Sequence, residues 1–447
     1  MPRLRAALAF LITLPTGCAS IAVVPVDCEE EHRVGDVCAG VPPGPVCDED
    51  YWTEGVPCAV VHQVDSGASF AAAVGSAQAG SCIALAPGAY GSVILPPGVS
   101  LLGGGADCVT LAGIEVSGEG VVVRGVTITA GSLQVRDGST TAEMIRIVDS
   151  LEDGVTVGSG ATLTLRASEV RSFARYGVSA FDVASLNVEN SLIEETLDGP
   201  GLWVQCNLGC ACPNKPMLSM TNVRIARAKV VGLSLVGADA TLQNVEVRDS
   251  VLSDDFHGGG IAMSACSNLT ATDVRIVDND DVGLLIDDSS MLVDGLTVSS
   301  NPLGVWIQNI GASTSGNVHV RTAEITGNRG IGIGVTGPST NVTIEDSRIA
   351  DTQELERADC VVAHGIIWKQ VSQLVLRRVT VSGSQQQSVL IDGGVAPGSL
   401  IDHVTLTGGD ENTGILQQNF AADDLTPEVI ASPAITVRPD AVWGCPR

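Results

Sequence analysis

The chain has 447 residues, with 24 basic and 51 acidic side chains, a formal charge of −27 and 13 cysteines. An acidic balance of that size excludes general nucleic-acid binding through a basic field, because phosphates would meet net repulsion. Since 45% of residues are apolar and 17% charged, the composition fits a folded chain with a large core and not a disordered polyacid.

At the N-terminus Arg3 and Arg5 precede a mostly apolar stretch, 6–14, followed by Pro15-Thr16-Gly17-Cys18. A basic start, an apolar run too short to span a bilayer and a small-residue cleavage site describe an export signal. The ending Leu14-Pro15-Thr16-Gly17-Cys18 resembles the lipobox of bacterial lipoproteins, with Pro15 as a departure. That resemblance implies cleavage after residue 17, lipid on Cys18 and, from Ala19, sorting to the outer membrane. Membrane association through this lipid is therefore one expected partnership.

Cysteine parity supports export. With Cys18 lipidated, twelve cysteines remain, and an even dozen in an oxidising compartment reads as up to six disulfides. They are Cys28, Cys38, Cys47 and Cys58 in a Pro-rich N-terminal segment, Cys82 and Cys108 one structural period apart, Cys206, Cys210, Cys212 and Cys266 together, and Cys360 and Cys445. Zinc is the rival reading for Cys210-Ala211-Cys212, but one-residue spacing suits tetrahedral ligation poorly.

From about residue 60 the chain reads as short alternating strands rich in Val, Ile, Leu and Thr, punctuated by Gly, Asn and Asp. A marker glycine followed by an aliphatic residue recurs, as in Gly154-Val155, Gly177-Val178, Gly201-Leu202, Gly232-Leu233, Gly260-Ile261, Gly283-Leu284, Gly304-Val305, Gly332-Ile333 and Gly365-Ile366. Spacings cluster near 23 residues with insertions, which is one solenoid turn per repeat. Each unit offers three short strands, too little to bury a face alone, so neighbouring coils must stack. A leucine-rich-repeat horseshoe is disfavoured because its fixed Leu and Asn spacing is missing. Asn190, Asn222, Asn244, Asp273 and Asp346 fall three residues before each unit's closing aliphatic, and Asn279, Asn301 and Asn328 three after it. Both sets are expected to stack in the bends as structural amides and carboxylates.

This repeat resembles the right-handed parallel β-helix of the pectin-lyase-like family over roughly residues 60–425. By the same resemblance, Ser69 to Gln78 is the N-terminal capping helix, and the runs from Ala79 to Tyr90 and from Leu95 to Gly105 are similar to the family's first coils. The expected fold is all-β, a solenoid of about 14 coils. The expected organisation is a signal peptide (1–17), a Cys-rich linker or stalk (18–59), the β-helix (60–425) and a C-terminal tail or cap (426–447).

The resemblance makes the strand after the marker glycine the first sheet and its outer face the substrate groove. The enlarged loops 249–259 and 351–364 precede that strand, and 205–216 and 309–316 follow it. Strand alternation then points Trp203, Gln205, Trp306 and Gln308 outward, along with Asp287 and Lys369. Trp203 and Trp306 occupy equivalent positions four coils apart, a platform for the C–H faces of a polysaccharide lying along the axis. A second constellation is acidic: Asp249, Asp254, Asp255, Asp278, Asp280 and Asp281 crowd one loop side with His257. Oxygen ligands in loops suit Ca²⁺, and a solvated acidic rim is the alternative.

Asp254-Asp255 and His257-Gly258 resemble parts of the polygalacturonase motifs, but Phe256 replaces the first Gly of Gly-His-Gly and Arg348-Ile349-Ala350 does not complete Arg-Ile-Lys. A lyase would need a cationic base such as Lys369, with His364 nearby, although Asp392 one coil on can simply pair with it. Candidate catalytic residues are therefore Asp254, Asp255, His257, Asp287 and Lys369, with no complete motif. Three readings stand: a surface lipoprotein that binds or scaffolds a glycan or partner without catalysis, a polysaccharide lyase or glycoside hydrolase, and a structural spacer. For the anchor, Cys18→Ala should move the protein from the membrane fraction to the soluble one, and unchanged membrane retention would contradict lipidation at Cys18.

Overall fold

Stacked coils leave the marker position no room for a side chain. A β-carbon at Gly283 would lie 2.7 Å from the carbonyl oxygen of Gly304, and one at Gly332 2.5 Å from that of Gly365. This contact recurs from Gly177 to Gly365, where the neighbour becomes Ser388, and it explains why glycine marks the repeat. The computed structural model describes residues 33–34, 37–40, 47, 55–252, 259–309, 316–337, 340–357, 360–369, 373–393, 396–407, 414–418 and 437–439.

The fold is the expected right-handed parallel β-helix. Among the described residues, the strands after the markers lie in one sheet of 16, and the rest of each coil, two strands or, as in Asp239–Arg248, one continuous bent strand, belongs to a sheet of 24. Pairing is parallel and in register from coil to coil, for example Leu202 with Leu233 and Leu233 with Ile261. Inward positions carry Leu202, Val204, Leu284, Ile286, Val305 and Ile307, all fully or nearly fully buried. Aliphatic residues fill the narrow lumen, with Phe173 and Trp368 as its large aromatic members. A capping helix, α1 (Gly67–Ser76), begins at an N-cap Ser66 in a reciprocal hydrogen-bonded box with Ser69 and packs Phe70 against Tyr90. It starts and ends two residues earlier than expected.

Both polar columns are structural. Asn190, Asn222 and Asn244 adopt left-handed backbone conformations in the bend, and the amides of Asn222 and Asn244 each donate to the preceding asparagine at 2.8 Å. Asn279, Asn301 and Asn328 form a buried ladder in which Asn279 and Asn301 donate both backbone N–H and side-chain amide to the next coil's carbonyl oxygen. On the outer faces of the second and third strands, glutamates sit beside arginines of neighbouring coils. Burial opposes ionisation of Glu143, but Arg166 and Arg124 outweigh it and hold the carboxyl below its usual range. Glu194 is pushed up by burial, which Arg227 and Arg171 offset only in part.

The N-terminal segment, expected as a stalk, lies in part against the coils. Arg33–Val34 pairs antiparallel with Val37–Cys38. Asn244 donates to the Val34 carbonyl at 3.2 Å, Arg224 donates to that of Arg33, and the Gly40 N–H donates to Asn190 at 2.9 Å. Two disulfides, Cys47–Cys108 and Cys58–Cys82, tie this segment to the first coils, so Cys82 and Cys108 pair with N-terminal cysteines and not with each other. Cys18, Cys28 and Cys445 lie outside the described residues, and Cys38 and Cys360 are described by backbone alone.

The Asn301 side chain satisfies two buried donors of Asn279 and itself donates to Asn328 and Ser299. Asn301→Ala should lower unfolding free energy by roughly 2–4 kcal/mol, read as a lower urea midpoint. An unchanged midpoint would mean that the ladder carries no stability.

Candidate functional site

The outer face of the 16-stranded sheet runs the length of the solenoid, and one outward column can be followed through the pairings. It begins Ile94, Glu115, Gln134, Thr156, Ser179, Trp203 and continues Ser234, Ala262, Leu285, Trp306, Gly334, Ile367, Leu390. From Glu115 to Ser179 the column is polar, from Ala262 onward it is apolar, and Trp203 with Ser234 stands at the junction. Four pairing steps separate the two tryptophans, about 19 Å at the coil repeat.

Trp203 points outward as expected but is not a bare platform. Tyr176 meets it edge-on with centroids 5.0 Å apart, and Phe181 lies tilted at 5.8 Å. The ring is half-buried in this cluster and its indole N–H is buried without a hydrogen-bond partner. Gln205, half-buried, follows on the same strand, across from Phe181 in the preceding coil. Tyr176 and Phe181 escaped the sequence reading. The signal was their register, since Tyr176 directly precedes a marker glycine and Phe181 ends the same short strand.

Trp306 lies flat. Its register partner in the next coil is Gly334, where any β-carbon would run into the six-membered ring of the indole. Its N–H donates to Gln308 at 2.9 Å, which fixes the ring in its plane. The ring and Gln308 line a cleft of about 490 Å³ with Val231, Leu285, Leu303 and Ile331. Leu355 and Val362 from the enlarged loop 351–364 form one wall, where Leu355–Arg357 pairs antiparallel with the start of Cys360–Lys369. The loop 205–216 is fixed by Cys206–Cys212 and by Cys210–Cys266, which reaches the second coil along.

The acidic constellation does not gather into a cation site among the described residues. Asp249 and Asp278 share the expected register, both in left-handed bends, but Asp249 accepts from Arg248 at 2.7 Å and Asp278 is exposed. Asp280 accepts from the Leu252 N–H at 3.2 Å, and Asp281 is buried at the cleft edge. These carboxylates therefore serve separate turns and walls. The single described group with metal-ligand spacing, Asp182 with Cys206 and Cys212, fails chemically because its two sulfurs are bonded to each other. Asp254, Asp255 and His257 lie outside the described residues.

Nor do the described catalytic candidates meet. Asp287 pairs in register with Gln308 and then Thr336, which puts Lys369 three coils away, roughly 14 Å. That span is too long for both to act on one glycosidic bond. Lys369 stands 4.0 Å from Asp392, its register partner, as a cross-strand ion pair. His364 is fully buried and its Nδ1 accepts from the Gln387 N–H at 3.3 Å. Burial, with a smaller contribution from Lys369, pushes its pKa down to about 3, which leaves it neutral and unsuited to acid–base work near pH 7.

A family model described as right handed beta helix region matches residues 208–354. No curated protein matches the chain. Similar solved structures include pectate lyase Pel9A, at 12% identity over 82% of this chain and 82% of that one, with a TM-score of 0.41. The A-module of the Azotobacter vinelandii mannuronan C-5 epimerase AlgE6 is similar at 16% identity over 83% and 97%, TM-score 0.42. The catalytic unit of a thermostable α-1,3-glucanase from Streptomyces thermodiastaticus follows at 13% identity over 88% and 71%, TM-score 0.37. These likenesses are of fold alone.

Since the pKa of His364 falls on folding, the unfolded chain gains its proton first as pH drops. Its contribution to stability is complete above about pH 6.5 and fades toward pH 3. Urea midpoints measured from pH 7 to 4 should fall more steeply for the wild type than for His364→Gln, and parallel curves would contradict a buried neutral imidazole.

Proposed function

We propose that the protein is a non-catalytic binding protein, exported and anchored through Cys18, that holds a glycan along the outer face of its 16-stranded sheet. The observation that carries this reading is Trp306, laid over Gly334 and locked by Gln308 on the floor of a walled cleft. A sugar ring has an apolar C–H face and a polar edge. An immobilised indole face supplies the first contact at little conformational cost, and Gln308 with Asp281 at the cleft edge supplies hydrogen bonds for the second. The tyrosine, phenylalanine and tryptophan cluster four coils away offers another aromatic edge on the same line.

A pure spacer would need neither a walled cleft nor a disulfide-stapled loop at the same sheet. An enzyme would need an acid and a base facing one bond, and the described candidates stand apart. A glycan array on the full chain, with reducing-end and unsaturated-uronate detection, separates the three readings. Expected are binding without turnover and a loss of about tenfold or more in affinity for Trp306→Ala, the scale of one well-placed aromatic contact. Product formation would overturn the non-catalytic reading, and silence across the array would favour the spacer.

A further inference from the structure

The same face carries a second cleft, of about 570 Å³, over the first coils, where Ser92, Glu115, Gln134 and Glu152 stand beside the exposed apolar side chains of Ile94 and Leu151. Its floor includes Glu115 and Gln134, successive members of the outward column, and the column goes on to Thr156 and Ser179. No lysine or arginine lines it among the described residues. The two arginines nearest on this face are already matched. Arg136 pairs with Glu115 at 2.9 Å, and Arg175 pairs with Asp153 at 3.2 Å while lying over the Tyr176 ring. Asp153 is 6% exposed, and its other oxygen accepts from Ser179 at 2.7 Å and Thr156 at 3.4 Å, so its charge is fully committed.

We infer that this cleft is a second subsite, specific for uncharged sugar units, so that the bound polymer is a neutral glycan and not a polyuronate or sulfated chain. This rests on the glycan reading of the same face. A carboxylate or sulfate entering here would meet Glu115 and Glu152 and would have to break an existing ion pair to find a cation. The chain's overall charge of −27 adds repulsion at longer range. Sugar hydroxyls, in contrast, match an array of amide, hydroxyl and carboxylate groups that both donate and accept. Among other described cations, Lys369 is paired with Asp392, Lys215 with Asp239, and Lys229 and Arg329 line neither cleft.

The test is titration calorimetry of the full chain with six-sugar probes: gluco-, manno- and xylo-oligosaccharides on one side and oligogalacturonate and oligomannuronate on the other. Expected is binding of at least one neutral probe, with affinity changing less than about twofold between roughly 20 and 300 mM salt. The acidic probes should bind at least about tenfold more weakly. Gln134→Ala and Ser92→Ala, both at side chains that line the cleft, should each weaken neutral binding by about three- to tenfold, with unchanged thermal midpoints. Tighter, salt-sensitive binding of an acidic probe would overturn the neutral class, and full affinity in both variants would overturn the subsite. In either case a loss on Trp306→Ala would leave the glycan reading standing. No binding by any probe, neutral or acidic, would remove both.

Discussion

Coils stacked at a strand spacing of about 4.8 Å bring the marker backbone of one turn against the carbonyl of the next, and only glycine fits between them. From Gly154 to Gly365 that steric limit sets the register of the coils. Once register is fixed, side chains of one kind form columns along the axis, inward ones filling the lumen and outward ones forming continuous surfaces. A binding face of this kind needs no local motif. It arises because each strand contributes one residue to a column that its neighbours extend.

The same constraint sorts polar groups into structural and surface roles. Asparagines at the bends are buried in ladders whose amides satisfy backbone donors of the adjoining coil, so they cannot serve a ligand. The glutamates of the third strands sit between arginines of neighbouring coils, partly under the N-terminal segment. Removing one partner there would strand a buried charge, at a cost greater than the net worth of the pair. The outer face of the 16-stranded sheet is different. Its column changes from hydrogen-bonding residues to apolar ones at the Trp203 cluster, and enlarged loops are fixed beside it by disulfides and an antiparallel strand.

Much of the fold was legible because it depends on a repeated local rule. The marker glycines, the inward aliphatics and both polar columns could be read from spacing, and Lys369 with Asp392 followed from strand pairing. Features that depend on contacts between distant segments could not. Nothing in the sequence of residues 33–40 announces docking against Asn190, Arg224 and Asn244, because those hydrogen bonds use backbone groups that every residue has. The crowding of Tyr176 and Phe181 around Trp203 requires knowing how side chains lean across neighbouring coils. Sequence proximity counts charges on the acidic loop side, whereas ligation requires their oxygens to converge, and among the described residues they do not. Asp249 is engaged by the adjacent Arg248, and Asp280 by the Leu252 N–H of the preceding coil.

The central proposition is that one face of the solenoid, and not its ends or its other sheet, carries the ligand. A crystal structure with a bound neutral oligosaccharide tests this most directly. The expected result is a sugar chain along the axis, with one ring stacked on Trp306 and the chain running toward Trp203 and Gln134. Sugar density confined to the arginine–glutamate face of the third strands, with the Trp306 cleft empty, would contradict it.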